Sequence, residues 1–439
     1  MRSWLAISSF LFIGTTCVLA QNPTNRHRPT VSEFLGVCGH TVQFKPALYK
    51  PAVRLVRDYH PVDWDTGPDP ATATEFPFAK NRVHWETVYG SWKKEGFDTN
   101  VCLMFDMFKP EAWKNPETDA ERYGEAFAKS FGPSSKLPFV TSAEIGNEPG
   151  TYDDKLYRRI FEGMAKGLRK GDPKLKIATC NMVVGKSHRY AKSVDSIKGL
   201  ESLYDVLTTH VYAEAEPWPT WRRSYPEDPS IKYLKDIAAL MKWRDANAPG
   251  KPIWVTEFGW DASTKKPPPT GDFAKWQGNT ETQQAYWLVR SVLLFMEMGV
   301  DRGYVYFFND DDAPQLHGSS GLTRKFVPKP AFYALAHLQR VLGDFRFNRV
   351  IGKRPVDAYA FEFINKNDPK QLVWVAWSPT AAMDFESRFD IDLEGLKVSS
   401  AEKTTLSQRR QKPVKIGFAN GVATLPISGA PLFLRLYKP

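Results

Sequence analysis

The chain has 439 residues, 42% of them hydrophobic and 25% charged, with a formal net charge of +10. The length exceeds one average domain and suits one large barrel with a small partner, and the apolar fraction excludes wholesale disorder. The basic residues are dispersed, with no Lys/Arg tract and no nucleic-acid module, so the charge reads as a solvated surface; acidic glycans such as uronates or sulfated sugars are the alternative partner.

Arg2 is the only charge before Arg26, an apolar run extends from Trp4 to Leu19, and Val18-Leu19-Ala20 places small residues before Gln21. This pattern predicts a signal peptide over residues 1–20 and a secreted or periplasmic protein. A membrane anchor fits less well, because the run is short and Ser8, Ser9, Thr15 and Thr16 interrupt it. Cleavage leaves Cys38, Cys102 and Cys180, an odd count that cannot form a complete disulfide framework. All three fall in apolar runs read below as strands one, three and five. Alternate strands fill one layer of a barrel interior, so these thiols are expected buried and reduced.

A polar lead-in over residues 21–32 gives way to short β-branched runs separated by helical spacing. The runs are Glu33–Cys38, Val53–Arg57, Asn100–Phe105, Phe139–Ile145, Lys176–Asn181, Tyr204–His210, Ile253–Phe258 and Arg302–Phe307. Between them Asp119–Phe131, Lys155–Lys170 and Asn279–Met298 read as helices, the last with Thr280 capping and Gln283 three residues on. Lys329–Leu342 closes the series. Eight βα units of this size predict an α/β fold, a (β/α)8 TIM barrel over residues 21–342. From about Arg346 the helical period gives way to alternating runs, Asp357–Phe363, Gln371–Trp377 and Pro431–Tyr437, punctuated by turn residues. Residues 343–439 therefore read as a small antiparallel β-sandwich, which borrows a strand from the N-terminal segment if it is not self-sufficient.

Two acidic motifs end the fourth and seventh expected strands: Ser142-Ala-Glu-Ile-Gly-Asn147-Glu148-Pro149 and Ile253-Trp-Val-Thr-Glu257-Phe-Gly-Trp260. The C-terminal ends of barrel strands form the active face, so Glu148 and Glu257 converge across one mouth. Cleavage of a glycosidic bond needs such a pair, one carboxyl protonated and one ionised.

The Asn-Glu-Pro and Thr-Glu-Phe-Gly-Trp motifs resemble glycoside hydrolase clan A, whose members are retaining (β/α)8 barrels, over about residues 33–340. The resemblance implies that Glu148 is the acid/base, Glu257 the nucleophile, and that Asn147 binds the sugar 2-hydroxyl. Thr209-His210-Val211-Tyr212 resembles the clan's His and Tyr near the nucleophile, and Arg57 its strand-two arginine. Strand alternation puts Val53, Leu55 and Arg57 on one face, which prefers Arg57 over Arg54; pairing with Asp58 or Glu33 is the structural alternative. The segments 283–300, Gly321-Leu-Thr323 and Lys329–Tyr333, with the sandwich, are similar to family 39 and neighbouring β-glycanases.

The clan's strand-eight tryptophan is replaced by Tyr306-Phe307-Phe308-Asn309-Asp310, so Phe307 or Phe308 is expected to stack under the sugar with Asn309 beside it. The chain has 14 tryptophans; of Trp64, Trp113, Trp218, Trp221, Trp260 and Trp276, two or three are expected to touch ligand. Trp218-Pro-Thr-Trp221-Arg-Arg223 leads, joining aromatic faces to positive charge; Trp260 is also a candidate. His40 after strand one reads as a sugar-hydroxyl ligand or a structural histidine, and Asp310–Asp312 as a solvated loop more than a cation site. No cofactor or metal motif is visible. The expected activity is an endo-acting β-glycanase on a β-1,3-glucan or related polysaccharide, by a monomer. Alternatives are an exo-acting β-xylosidase-like enzyme, a hydrolase of sulfated β-galactan, a transglycosylase and a non-catalytic glycan-binding barrel.

Overall fold

The computed structural model describes residues 28–40, 45–354, 358–383, 385–409 and 413–439. The expected signal peptide lies outside them. Eight parallel strands close on themselves: β1 (Leu35–Cys38), β2 (Leu55–Pro61), β3 (Asp98–Met104), β4 (Ser142–Ile145), β5 (Lys176–Val183), β6 (Val206–His210), β7 (Ile253–Phe258) and β8 (Arg302–Val305). Each pairs with its sequence neighbours, and β8 pairs with β1 to complete the ring. The outer helices are α1 (Trp85–Lys94), α2 (Pro116–Phe131), α3 (Asp154–Gly171), α4 (Tyr233–Asn247), α5 (Glu281–Met298) and α6 (Pro330–Leu342).

Two units lack a full helix among the described residues. A four-residue turn, Pro46–Tyr49, follows β1, and a 3-10 turn, Val194–Ile197, follows β5. Strand boundaries shift for local reasons. Thr30 and Glu33 form a capping box around a helical turn, so β1 begins only at Leu35. The Val53 amide bonds back to Tyr49 O, so β2 starts two residues later than expected and runs on to Pro61. The Thr280–Gln283 capping box of α5 forms as its spacing predicts.

Cys38, Leu55, Ala178, Val206, Trp254 and Tyr304 fill the barrel interior. Gly36 makes room for Tyr304: a Cβ there would lie 2.4 Å from the ring. All three cysteines are buried and free. They do not share one layer, however. Cys180 faces outward and bonds the Tyr157 hydroxyl of α3, because the β5–β6 register shifts between Ala178 and Asn181 and reverses the alternation.

The C-terminal unit has a five-stranded sheet of β9 (Phe345–Arg354), β10 (Ala358–Asn365), β11 (Gln371–Trp377), β13 (Lys397–Lys403) and β16 (Leu432–Tyr437). A three-stranded sheet of β12 (Glu386–Asp392), β14 (Gly417–Ala419) and β15 (Val422–Ser428) covers one face. Val373, Val375 and Trp377 of β11 pack with α5 and α6, while Leu372, Trp374 and Ala376 pack toward the smaller sheet. β11 is thus buried on both faces from Leu372 to Trp377, rather than alternating as expected, because each face meets a different layer. The N-terminal segment adds one isolated bridge, Thr30–Arg346, rather than a strand. Arg28 donates to Met296 O and lies over the Phe347 ring, so the end of the lead-in is anchored in the seam between the two units. No helix among the described residues is long and apolar enough to cross a membrane.

Candidate active site

Leu55, Arg57 and Tyr59 share the inward face of β2, and Ser142 and Glu144 that of β4. The fully buried Arg57 guanidinium forks onto Glu144, Nε to Oε1 and Nη2 to Oε2, both at 2.9 Å. Its Nη1 donates to Glu257 Oε1 at 3.0 Å, and Nη2 also donates to Asn147 Oδ1 at 2.9 Å. Asn100 donates a further bond to Glu144. One guanidinium thus ties three strand ends together. Arg54, at the opposite end of β2, takes no part.

Glu257 reaches the mouth through a break in register. Trp254 points inward, so strict alternation would turn Glu257 outward. Between Val255 and Phe258 the pairing with β8 shifts, and the pairing with β6 shifts between Thr209 and His210. Phe258 therefore packs in the outer core while Glu257 faces inward. Tyr59 donates to Glu257 Oε1 at 2.6 Å and Tyr212 to Oε2 at 2.8 Å. Burial alone would push this carboxyl up. The His210 and Arg57 charges and the two tyrosine hydroxyls outweigh it and hold Glu257 well below the usual carboxylate range.

Glu148 follows Gly146, whose φ of +91° turns the chain at the end of β4. A Cβ at Gly146 would also lie 2.9 Å from the Phe105 ring. Asp106 accepts from the Asn147 amide at 3.3 Å and fixes the turn from below. Glu148 Oε1 lies 2.9 Å from His210 Nδ1. His210 Nε2 faces Arg57 Nη2 at 3.5 Å. The side chain of Glu148 is 26% exposed against 7% for Glu257. One carboxyl is open and lightly bonded; the other is buried among donors.

One ligand atom each from Glu148, His210 and Glu257 lies within 4.8 Å of the others. That trio has the spacing to hold a cation, although Glu257 Oε1 is already engaged by Arg57 and Tyr59 and its Oε2 by Tyr212.

The structure brings Arg57, Asn147, Glu148, His210, Tyr212 and Glu257 together. It places other expected ligands elsewhere. Trp260 is fully buried, packs on Tyr233 and Trp287, and donates to Ser224 O. Phe308 is fully buried against Tyr49. The Asn309 amide oxygen is occupied by Thr323 Oγ1 and the Phe326 amide, so Asn309 braces a loop. Trp113 and Trp276 are core residues as well. Trp218 is 63% exposed, Trp221 and Trp64 are partly exposed, and His40 is exposed at the end of β1. The positive charge expected beside Trp218 is already paired, Arg222 with Glu216 and Arg223 with Asp261. Asp310 and Asp312 are buried, bonded to Lys329, Arg324 and Thr264, rather than solvated.

Sequence reasoning missed Tyr59, Glu144, Asp106, Tyr306 and His317. Extending β2 by two residues exposes Tyr59, and alternation along Ser142-Ala-Glu144 exposes Glu144. Tyr306 and Phe307 are the partly exposed aromatics after β8, in place of Phe308. His317 packs edge-on to Tyr212 and Tyr306. Burial and the adjacent Arg223 push its pKa down to about 4, so this imidazole is neutral at ordinary pH. No local motif marks it.

No protein-family model matches this chain, and no curated protein matches its sequence. Solved structures share its fold. A family 39 glycoside hydrolase from the gut symbiont Bacteroides cellulosilyticus aligns with a TM-score of 0.67 at 18% identity, over 94% of this chain and 81% of that one. A glucosidase from Croceicoccus marinus aligns at 0.63 and 12%, over 93% and 97%. A family 30 endoxylanase from Clostridium papyrosolvens aligns at 0.58 and 12%, over 94% and 97%. At these identities the likeness establishes the architecture, a (β/α)8 barrel with an attached β-sandwich.

Proposed function

We propose that this protein is a retaining β-glycoside hydrolase in which Glu148 is the general acid/base and Glu257 the nucleophile. The observation that carries the reading is the pair itself. Their nearest ligand atoms lie within 4.8 Å, close to the ~5–5.5 Å of retaining enzymes and short of the ~6.5–9.5 Å that inversion needs to seat a water. Their surroundings differ in the sense the chemistry requires.

In the first step Glu257 attacks the anomeric carbon and the glycosidic bond breaks. Glu148 passes its proton to the departing oxygen, through Oε2, which has no hydrogen bond among the described residues. In the second step Glu148 takes a proton from water, the hydroxide oxygen bonds to the anomeric carbon, and Glu257 leaves as the carboxylate. Asn147, its Oδ1 taken by Arg57, keeps its amide N–H groups for the sugar 2-hydroxyl.

A polymeric substrate cut internally is favoured by the loops. Phe78, Met107, Val184, Tyr190 and Trp218 are all large, exposed and apolar, and all lie in segments following β2, β3, β5 or β6. Apolar surface collected on the catalytic face suits several sugar subsites. We therefore read the enzyme as an endo-acting β-glycanase, with a β-1,3-glucan or related glycan as the first substrate to test.

The test is a panel of β-glucans, xylans and galactans, with NMR of the first product formed. Wild type should release a β-anomer, and Glu257→Ala should lose at least ~10⁴-fold in rate, the scale on which removal of a catalytic group acts. An initial α-anomer would overturn the retaining assignment. Binding without cleavage by both proteins would establish a glycan-binding barrel instead.

A further inference from the structure

A second concavity lies far from the catalytic mouth. Between α6 and β13 a cavity of about 820 Å³ is lined by Arg54, Tyr333, Arg340, Glu402, Arg409 and Arg435, among others. Its volume falls within the ~300–1,000 Å³ of small-ligand sites. Arg54 precedes the first residue of β2, whereas Glu148 and Glu257 sit at the C-terminal ends of β4 and β7. The two sites occupy opposite ends of the barrel.

Four guanidinium groups face one carboxylate here. Glu402 is engaged by His337 Nε2 at 3.2 Å and Arg340 Nη2 at 2.7 Å, and these partners hold it at about 2. Arg435 Nε stands 3.8 Å from Glu402, beyond hydrogen-bond range. Arg54 donates only to the backbone carbonyls of Lys50 and Val53, and Arg409 has no ion pair among the described residues. Burial lowers the pKa of both Arg54 and Arg435; for Arg435 it outweighs the shared Glu402 carboxylate, and the neighbouring Arg340 adds to the lowering. An anionic group in the cavity would relieve that cost through bidentate guanidinium bonds.

The other lining groups narrow the ligand class. Tyr333 supplies a flat apolar face, and Ser400, Thr405 and Ser407 supply short hydroxyls. A bare inorganic anion has no use for the ring, and a nucleic-acid backbone would need a longer basic track. We propose that this groove binds an acidic oligosaccharide, carrying sulfate esters or uronate carboxylates, and tethers the protein to acidic polysaccharide. The proposal goes beyond the glycosidase reading and is tested without hydrolysis.

The experiment is calorimetric titration of full-length Glu257→Gln protein with a κ-carrageenan tetrasaccharide, its desulfated counterpart, tetragalacturonate, sodium sulfate and a short DNA duplex. The expected result is saturable binding of at least one acidic tetrasaccharide. In the Arg54→Glu/Arg409→Glu double variant it should weaken tenfold or more, and in Tyr333→Ala measurably, with unchanged melting temperatures. The neutral counterpart should show neither loss. Tight binding that survives the double variant would overturn the proposal, as would no binding of either acidic sugar. Equal binding of sulfate or DNA, indifferent to Tyr333→Ala, would reduce the groove to an unspecific anion patch and also overturn it.

Discussion

Tyr59 and Tyr212 hold the two oxygens of one carboxylate, Tyr59 donating to Glu257 Oε1 at 2.6 Å and Tyr212 to Oε2 at 2.8 Å. They come from strands on opposite sides of the barrel mouth, β2 and the segment after β6. With Arg57 on Oε1 the carboxylate is fixed in plane and stabilised as the anion.

Removing either hydroxyl should raise the Glu257 pKa. A hydrogen bond to a charged group contributes roughly 1.5–3 kcal/mol, or about one to two pKa units. Burial opposes ionisation, and the surrounding donors bring the group to about 2 in the intact protein. A depressed carboxylate is ionised above its pKa, and activity that needs the anion is lost as pH falls through it. The wild-type acid limb therefore lies below the usual assay range. In Tyr59→Phe or Tyr212→Phe it should move up by about one unit and become visible in kcat/KM between pH 3 and 5. An acid limb that stays put would remove the tyrosines from this role.

Glu144 is the counter-charge that lets Arg57 be buried. Both side chains are fully inaccessible. Glu144→Ala leaves the guanidinium with Glu257 alone, and breaking a buried pair costs about 3–5 kcal/mol. Urea unfolding should report a loss of that size, and Glu144→Gln a smaller one. Arg57→Lys keeps the charge but not the fork, so its loss should fall on kcat more than on stability.

The architecture and the two central glutamates were legible because their signals are local: apolar runs at barrel spacing, and acidic residues at strand ends. The errors share a cause as well. Trp260 and Phe308 follow strands seven and eight as a ligand would, but which way a residue turns there depends on contacts distant in sequence. After β7 it depends on register shifts in pairing with β6 and β8, and Phe308 is set by its amide bond to Cys38 O, none of which one window of sequence contains. The same shift that hides Phe258 turns Glu257 inward. Glu144 and Tyr59 obey simple alternation and were within reach. His317 depends on a loop fold after β8 and was not.

The seam between barrel and sandwich is held by a buried ion pair. Arg290 of α5 donates through Nε to Glu227 Oε1 at 3.0 Å, and Trp377 of β11 donates to the same oxygen at 2.6 Å. Glu227 lies in the segment between β6 and α4 that also carries Trp218, so the sandwich braces that segment. Arg290→Ala should cost about 3–5 kcal/mol by stranding the carboxylate. The pair Arg290→Met with Glu227→Gln should recover part of it, measured by denaturant unfolding. Full additivity of the two single losses would show that the groups do not act as a pair.

Two tryptophans of similar standing in the sequence should behave in opposite ways. Trp260 is fully enclosed, with rings of Tyr233 and Trp287 around it and its indole N–H on Ser224 O. Trp260→Ala opens a large cavity and should cost about 3–5 kcal/mol, with any loss of activity tracking the loss of folded protein. Trp218 is mostly in solvent on the catalytic face. Trp218→Ala should leave the urea midpoint within ~0.5 kcal/mol of wild type. Its effect should fall on substrate instead: a KM for polysaccharide raised several-fold. Short aryl glycosides, which do not extend to an outer subsite, should be cut as before. If Trp218→Ala leaves polysaccharide KM unchanged, the exposed ring is surface and the extended-subsite reading loses its best-placed residue.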